Sequence, residues 1–208
     1  MANISVKATR SELLQLKKRI KLARTGKNLL KKKRDGLILE FFNILKAAKD
    51  VRKDLVASYA AALQKINIAR AMDGDLAIKS ISLDLKGLPL VDVATKNIMG
   101  VKVPKISFGE VKKSVLERGY GITSSTSKID EAALAYETVV EKAVAAAELE
   151  LTLKKLLREI EKTKRKVNAL ELLTIPSLEK SAAYIRFRLE EIERENFSRL
   201  KRMKTVKV

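Results

Sequence analysis

Two long tracts, one near each end of the chain, have apolar residues that recur at alternating steps of three and four. The first runs from about Leu13 to Ile66 and the second from about Ile129 to Leu200. A spacing that averages 3.5 residues keeps apolar side chains on one face of an α-helix, and two such faces can form a supercoiled seam. Two tracts separated by a shorter segment predict a mainly α fold, a long antiparallel two-helix coiled coil formed by the N- and C-terminal helices.

Helix start and stop signals indicate where these tracts begin and end. Thr9-Arg-Ser-Glu12 is a capping box that predicts the start of the first helix, and Asp73-Gly74 predicts its end. Ser127-Lys-Ile-Asp130 is a similar start for the second helix, with Asp in place of Glu or Gln. The sequence therefore predicts an N-terminal helix within residues 1–72, a middle module at 73–126 and a C-terminal helix within residues 127–208.

Two irregularities interrupt the apolar pattern. After Leu55 we expect the seam to continue at Tyr59, Leu63 and Ile66, a four-residue shift that locally unwinds a supercoil. Pro176 interrupts the second tract, because proline lacks the N–H that an α-helix needs. We expect one continued helix there, with the pattern resuming in phase at Leu178, and a break into two helices is the alternative.

The middle module has a different composition and predicts short helices and a β-hairpin. Residues 90–96 alternate in part and residues 101–106 alternate clearly, with turn-forming residues at 97–100 between them. Pro104 in the second predicted strand favours an edge position. Gly119-Tyr-Gly121 is interpreted as a turn, and residues 120–127 as a flexible lead into the second helix.

The residue types that are missing exclude several kinds of chemistry. The chain has no cysteine and no histidine, which excludes disulfides, cysteine nucleophiles and histidine-based triads. No run of apolar residues approaches the roughly 20 that a membrane-spanning helix needs. No phosphate-binding loop surrounds Gly26-Lys27. We expect a non-catalytic protein with no cofactor and no metal site.

The net charge of +19 is unevenly distributed. Residues 1–71 hold 18 Lys/Arg against 5 Asp/Glu, whereas residues 126–208 hold 18 against 14. A basic helix can bind the phosphates of a nucleic acid, and it can equally face an acidic protein. The charge alone therefore leaves open a nucleic-acid-binding coiled coil, and exposed apolar residues such as Phe42 and Leu45 leave open a self-associating scaffold.

Two basic residues, Lys27 and Arg34, fall on seam positions of the first tract. If the helices are antiparallel and joined near residues 70 and 128, Lys27 faces Glu171, which interrupts the second apolar stripe. We therefore predict a Lys27–Glu171 pair across the seam, a device that can fix register. The basic run at 31–34 is either a solvated helix face or a docking site for acidic groups.

Several blocks of sequence resemble the D subunit of the V/A-type ATPases. The first helix carries Thr9-Arg-Ser-Glu-Leu-Leu14, Leu16-Lys-Lys-Arg-Ile20 and Leu29-Leu-Lys-Lys-Lys-Arg-Asp35. The middle carries Asn97-Ile-Met-Gly-Val-Lys-Val-Pro104. The second helix carries, in the same order as the family, Asn168-Ala-Leu-Glu171, Ile175-Pro-Ser-Leu-Glu179, Tyr184-Ile185, Leu189-Glu190, Glu193-Arg-Glu195 and Leu200-Lys201.

The resemblance implies a non-catalytic central rotor axle of an ATP synthase, on the cytoplasmic side of the membrane. It implies contacts with the hexamer of A and B subunits, with the F subunit, and with the C (or d) subunit at the foot, and no direct binding of nucleic acid. Candidate contacts with the hexamer are Arg10, Lys17, Lys27, Lys31, Arg34, Arg186, Arg199 and Arg202. The candidate partner region of the hairpin is Asn97, Ile98, Met99, Gly100, Val101, Val103 and Pro104.

Overall fold

The computed structural model describes residues 8–84, 91–109, 111, 118–120 and 126–206. The elements, in chain order, are helix α1 (Arg10–Asp73), helix α2 (Asp75–Asp84), strand β1 (Val91–Ile98), strand β2 (Val101–Phe108), helix α3 (Ser127–Ala169), a π-helical turn (Leu170–Thr174) and helix α4 (Ile175–Val206). The predicted mainly α class, with long helices at both ends and a hairpin in the middle, is confirmed.

The chain divides into two compact units. The terminal unit contains residues 1–36 and 160–208, and the middle unit contains residues 37–159. This division cuts across both long helices, because each unit combines a part of α1 with a part of the C-terminal helical run. The predicted division into three segments, with boundaries at 72/73 and 126/127, differs in kind from these two units and stays a prediction.

In the terminal unit, α1 and the C-terminal helical run lie antiparallel. Arg10 contacts Glu193, the Arg24 guanidinium lies 2.6 Å from the Glu179 carboxylate, and Lys27 contacts Glu171. The partner's number falls as the number along α1 rises, which is the signature of antiparallel helices. In the same unit, the apolar side chains of Leu16, Val167, Ile175 and Ile185 are buried.

The ends of α1 follow their sequence signals. The backbone N–H of Glu12 donates to the Thr9 hydroxyl at 3.2 Å, so Thr9 satisfies one of the free N–H groups at the helix start. At the other end, Gly74 has a φ of 85°, and its N–H donates to the Arg70 carbonyl at 3.0 Å. A left-handed residue after the last helical turn favours glycine, because a Cβ would be strained there. Both predicted boundaries are confirmed.

A π-helical turn accommodates one extra residue in the seam of the C-terminal helical run. The seam residues Ile160, Thr163, Val167 and Leu170 follow the three-four spacing, and the next one is Ile175, after a step of five. The Ile175 N–H accordingly donates to the Leu170 carbonyl, and the Thr174 hydroxyl donates to the Ala169 carbonyl at 3.2 Å. The expectation that the pattern resumes in phase was wrong, because Leu178 lies eight residues beyond Leu170 rather than seven. The wider turn absorbs the extra residue.

The same turn accommodates Pro176. In a regular helix, the pyrrolidine ring would collide with the carbonyl four residues earlier and leave a hydrogen bond unmade. Here Pro176 closely follows the π-helical turn, where the backbone is wound more widely than in a regular helix. The helical path therefore continues through the proline, as expected, by way of a π turn.

In the middle unit, the shift in the first seam lies two turns later than expected. Ala62 is fully buried and Ser58 is half-buried, whereas Tyr59 and Leu63 are 48% and 38% exposed. Strict three-four spacing from Leu55 leads to residues 58 and 62, so the phase of the preceding heptads outweighs the larger apolar side chains next to them. The four-residue shift then falls between residues 62 and 66.

The hairpin is close to its prediction but longer. Strands β1 and β2 pair antiparallel from Val91↔Phe108 to Ile98↔Val101, two residues beyond the predicted ends of both strands. Met99 and Gly100 have φ angles of 50° and 85°, which is a type I′ turn, the connection whose twist matches that of the strands. Pro104 lies opposite Thr95 in this two-stranded sheet, where each strand has an open edge that tolerates proline.

The phase assigned to the seam around the π turn predicts the effect of deleting one residue there. Deleting Leu173 together with Pro176→Ala restores uninterrupted three-four spacing, because Ile175 then follows Leu170 by four residues. We expect the Tm from circular dichroism to stay within about 4 °C of the wild type, since the seam keeps all its apolar residues.

Deleting the exposed Lys180 instead is the matched control, because it moves Ala182, Ile185 and Leu189 out of phase. This deletion should lower the Tm by more than about 10 °C, since several seam residues leave the interface at once. Equal losses of stability in the two deletion variants would contradict the assigned phase.

Candidate functional site

The candidate hexamer contacts are all in the terminal unit. The residues on α1 are Arg10, Lys17, Lys27, Lys31 and Arg34, and those on α4 are Arg186, Arg199 and Arg202. Together with the other ionisable residues of this unit, they give 25 Lys/Arg against 9 Asp/Glu, a net charge of +16 out of the chain's +19. The middle unit carries the remaining +3. The basic character of the chain is therefore a property of one unit.

Lys27, Lys31 and Glu171 form an ion cluster across the seam. The Lys27 and Lys31 Nζ atoms lie 3.4 and 3.5 Å from the two carboxylate oxygens of Glu171. The Lys27 side chain is only 22% exposed, as its seam position requires. The positive charge of Lys27, and then that of Lys31, lowers the pKa of Glu171. The predicted Lys27–Glu171 pair is confirmed, and Lys31 joins it.

Most of the other predicted cations make exposed pairs. Arg10 bonds to Glu193 across the helices, Arg34 pairs with its neighbour Asp35 at 2.8 Å, and Arg186 pairs with Glu190 one turn later at 3.0 Å. Arg199 lies 3.8 Å from Glu195, and Lys17 and Arg202 are exposed. Exposed pairs of this kind contribute about 0–1 kcal/mol each, so a partner's carboxylates can exchange for them at little cost.

The hairpin presents its tip and buries part of its second strand. Asn97, Met99 and Gly100 are exposed, Ile98 and Val101 are half-buried, and Val103 and Pro104 are buried. The seven predicted partner residues therefore do not form one surface. The accessible part of the hairpin is the turn together with the exposed strand β1, whereas Val103 and Pro104 of β2 are buried.

A buried charged cluster in the middle unit was missed at the sequence level. Arg118 is 2% exposed, and its Nε and Nη2 atoms donate to the two carboxylate oxygens of Glu137 at 3.0 and 3.1 Å. Its Nη1 atom donates to the Tyr120 hydroxyl at 3.3 Å, and that hydroxyl donates to the Asp130 carboxylate at 2.6 Å. Burial raises the pKa of Tyr120, and its bond to Asp130 raises the pKa further.

This cluster corrects the interpretation of residues 119–121 as an ordinary turn and of Tyr120 as part of a flexible lead. Gly119 does have a φ of 92°, but the residues on either side of it anchor the segment to α3. Residues 121–125 of the expected lead lie outside the described residues. A signal was present in the sequence, because Asp130 and Glu137 are seven residues apart and therefore lie on one face of a helix.

Two kinds of feature, a cluster of metal ligands and an apolar spanning helix, are absent from the described residues. No group of three or more Asp and Glu side chains within residues 8–84, 91–109 and 126–206 is arranged to hold a metal ion. In the same part of the chain, no helix combines the length and the apolar character needed to cross a membrane.

The burial of the Arg118–Glu137 pair predicts a large loss of stability when its carboxylate is removed. Glu137→Gln removes the only negative charge that bonds to two nitrogens of Arg118 among the described residues, and it leaves the buried guanidinium poorly compensated. We expect the free energy of unfolding in urea to fall by about 3 kcal/mol. Glu190→Gln, which removes the exposed partner of Arg186, is the control and should change it by less than about 1 kcal/mol. Similar effects of the two changes would contradict a buried role for Arg118.

The lowered pKa of Glu171 predicts how the stability of the fold depends on pH. A carboxylate whose folded pKa lies below its unfolded value of about 4.3 contributes stability above that value and loses it as the pH falls through the folded pKa. Wild type should therefore be more stable than Glu171→Gln at neutral pH, and the difference should disappear on acidification below about pH 4. Thermal unfolding across this range checks it. A difference that persists at the lowest pH would mean that Glu171 acts through packing instead.

Comparison with known proteins identifies the family. A sequence profile of the ATP synthase D subunit matches residues 12–205. The chain is 58% identical over 204 residues to the A-type ATP synthase D subunit of Methanosarcina acetivorans, with 98% of each chain covered. It is 57% identical over 204 residues to that of Methanosarcina mazei, again with 98% of each chain covered. It is 50% identical over 199 residues to that of Haloarcula marismortui, with 96% of this chain and 86% of the relative covered. The chain belongs to the family of ATP synthase D subunits.

Proposed function

We propose that this protein is the non-catalytic central rotor axle of an A-type ATP synthase. In this role it transmits torque between a catalytic hexamer of A and B subunits and the ion-translocating rotor ring of the membrane. The observation that carries the proposal is the concentration of +16 net charge in the terminal unit, on paired helices where Arg10, Arg186 and Arg199 make exposed ion pairs.

The helix pairs suit the transmission of torque. In each unit, parts of α1 and of the C-terminal run are joined by buried seam residues, and polar pairs such as Lys27–Glu171 and Ser58–Lys142 lie beside the seam. Twisting one helix against the other would pull these side chains out of register. Because protein interiors are densely packed, such sliding is opposed over the whole length of a seam.

The exposed charges suit rotation inside a ring. An axle that turns past repeated subunits needs contacts that break and re-form at each position, and a large apolar interface would hold it in one place. Exposed ion pairs contribute little each, and their partners can be exchanged. We infer that the terminal unit lies within the catalytic hexamer and exchanges its internal carboxylates for those of the surrounding subunits.

The middle unit supplies the remaining contacts. We assign it the binding of the F subunit and of the C (or d) subunit at the foot, through the exposed hairpin tip and the segment around it. This arrangement puts the protein on the cytoplasmic side of the membrane, as a peripheral part of a membrane-bound complex.

Reconstitution with the A, B, F and C subunits of the same organism tests the proposal. The wild-type chain should co-purify with all four at low salt and should stimulate ATP hydrolysis by the A/B hexamer. An assembled and fully active hexamer that neither binds the chain nor responds to it would overturn the axle function.

Deleting Val93–Lys105 tests the division of labour between the units. We expect the variant to keep its helical circular dichroism and its binding to A and B, and to lose at least about tenfold in affinity for F or C, as expected when the central contacts of an interface are removed. Met99→Asn is the matched control for the fold, because Asn-Gly favours the type I′ turn while removing the exposed methionine. Unchanged binding of F and C by the deletion variant would contradict this assignment.

The high net charge favours one competing function, a coiled coil that binds nucleic acid. Such binding depends steeply on salt, because it releases the counterions of the phosphates. A gel shift with duplex DNA that persists above about 150 mM salt would support it, and its absence at that ionic strength would count against it.

A further inference from the structure

The π turn exposes two adjacent leucines. Leu172 and Leu173 are 71% and 70% exposed, although they lie between the seam residues Leu170 and Ile175, which turn inward. Because the wide turn contains one extra residue, the two inward positions are five residues apart. The side chains of the segment between them therefore face the solvent on the side away from the seam.

A regular helix would serve the seam equally well here. Removing one residue between Leu170 and Leu178 and replacing Pro176 would leave the three-four spacing intact, and the π turn would not be needed. Single π turns inside α-helices are uncommon and are frequent at functional sites. The irregularity therefore calls for a role beyond packing, and its visible product is the pair of exposed leucines.

The surroundings of this pair are strongly basic. Arg165 and Lys166 lie within two turns before it, Lys180 lies two turns after it, and all three are exposed. Across the seam, residues 20–34 of α1 contain seven Lys/Arg and no Asp or Glu. Of the nearby acidic residues, Glu171 is held by two lysines and Glu179 by Arg24. The leucines thus form an apolar knob within a basic collar.

We propose that this knob, Leu172 and Leu173, docks into an apolar depression rimmed by carboxylates on the catalytic ring. The inference rests on the proposed function and deepens it by naming a contact point and its chemistry. Exposed leucines add nothing to the binding of phosphates, so the combination favours an acidic protein surface over a nucleic acid. The collar attracts the rim, and the knob fills the depression.

The size of the knob fits a contact that must be released. Stable protein interfaces bury on the order of 800 Å² on each partner, and two leucine side chains cover only a small part of that. A small apolar contact surrounded by exchangeable charges can hold the axle at one angular position and release it when the ring changes conformation.

Binding to a preassembled A/B hexamer tests the inference, with the full-length chain as the ligand in surface plasmon resonance. Leu172→Ser combined with Leu173→Ser should weaken binding at least about tenfold, as loss of a central contact does, while leaving the Tm unchanged. Leu39→Ser is the matched control, because Leu39 is a comparably exposed leucine on regular helix that lies outside the basic collar, in the middle unit. It should change the affinity by less than about twofold.

A second variant tests the collar. Arg165→Glu combined with Lys166→Glu should weaken binding and flatten its dependence on salt between about 50 and about 150 mM, because screening acts on these charges. Unchanged affinity of the charge variant would overturn the acidic rim.

The remaining outcomes separate the inference from the proposed function. A double serine variant that binds like the Leu39 control would overturn the knob while leaving the axle function in place. A wild-type chain that does not bind the hexamer at all would overturn both.

Discussion

The phase of the apolar seam is the constraint on which the rest of the structure depends. Two helices can stay in contact only while each advances by about 3.5 residues per turn, so any extra residue must be absorbed locally or the seam turns away from its partner. The sequence of the second tract contains one such residue. Its consequences include the π turn, which Pro176 closely follows, and the outward direction of Leu172 and Leu173.

Charged groups have different roles in the two units. In the terminal unit, the cations are numerous and mostly exposed, so each pair contributes little to stability and the group acts as a surface. In the middle unit, Arg118 is buried, and two carboxylates from one face of α3, together with Tyr120, surround its guanidinium. Such a cluster fixes one segment to one helix, because removing any member leaves a charge or a polar group without compensation.

The sequence was sufficient wherever a local rule acted alone. The Thr9 cap, the Gly74 end and the place of the hairpin turn follow from residue type, and the Lys27–Glu171 pair follows from the antiparallel register extended from the bend. The sequence did not predict the features that depend on the phase of preceding heptads or on tertiary contacts. Tyr59 and Leu63 looked like seam residues because of their size, but the preceding heptads place Ala62 inside instead. The Arg118 cluster joins residues from separate segments, and turn chemistry at Gly119 gives no hint of the burial on either side.

The antiparallel pairing also determines the order in which the chain can fold. Partners in the middle unit are close in sequence, 53 residues apart for Asp73–Thr126 and 84 for Ser58–Lys142, whereas those in the terminal unit are 144 residues apart for Lys27–Glu171 and 183 for Arg10–Glu193. Closing a longer loop loses more entropy, so contacts form first near the hairpin and spread outward. During synthesis, the apolar stripe at the start of α1 therefore stays without its partner until α4 has left the ribosome. The many lysine and arginine residues of this unpaired helix keep it soluble, because their like charges repel other copies of the same helix.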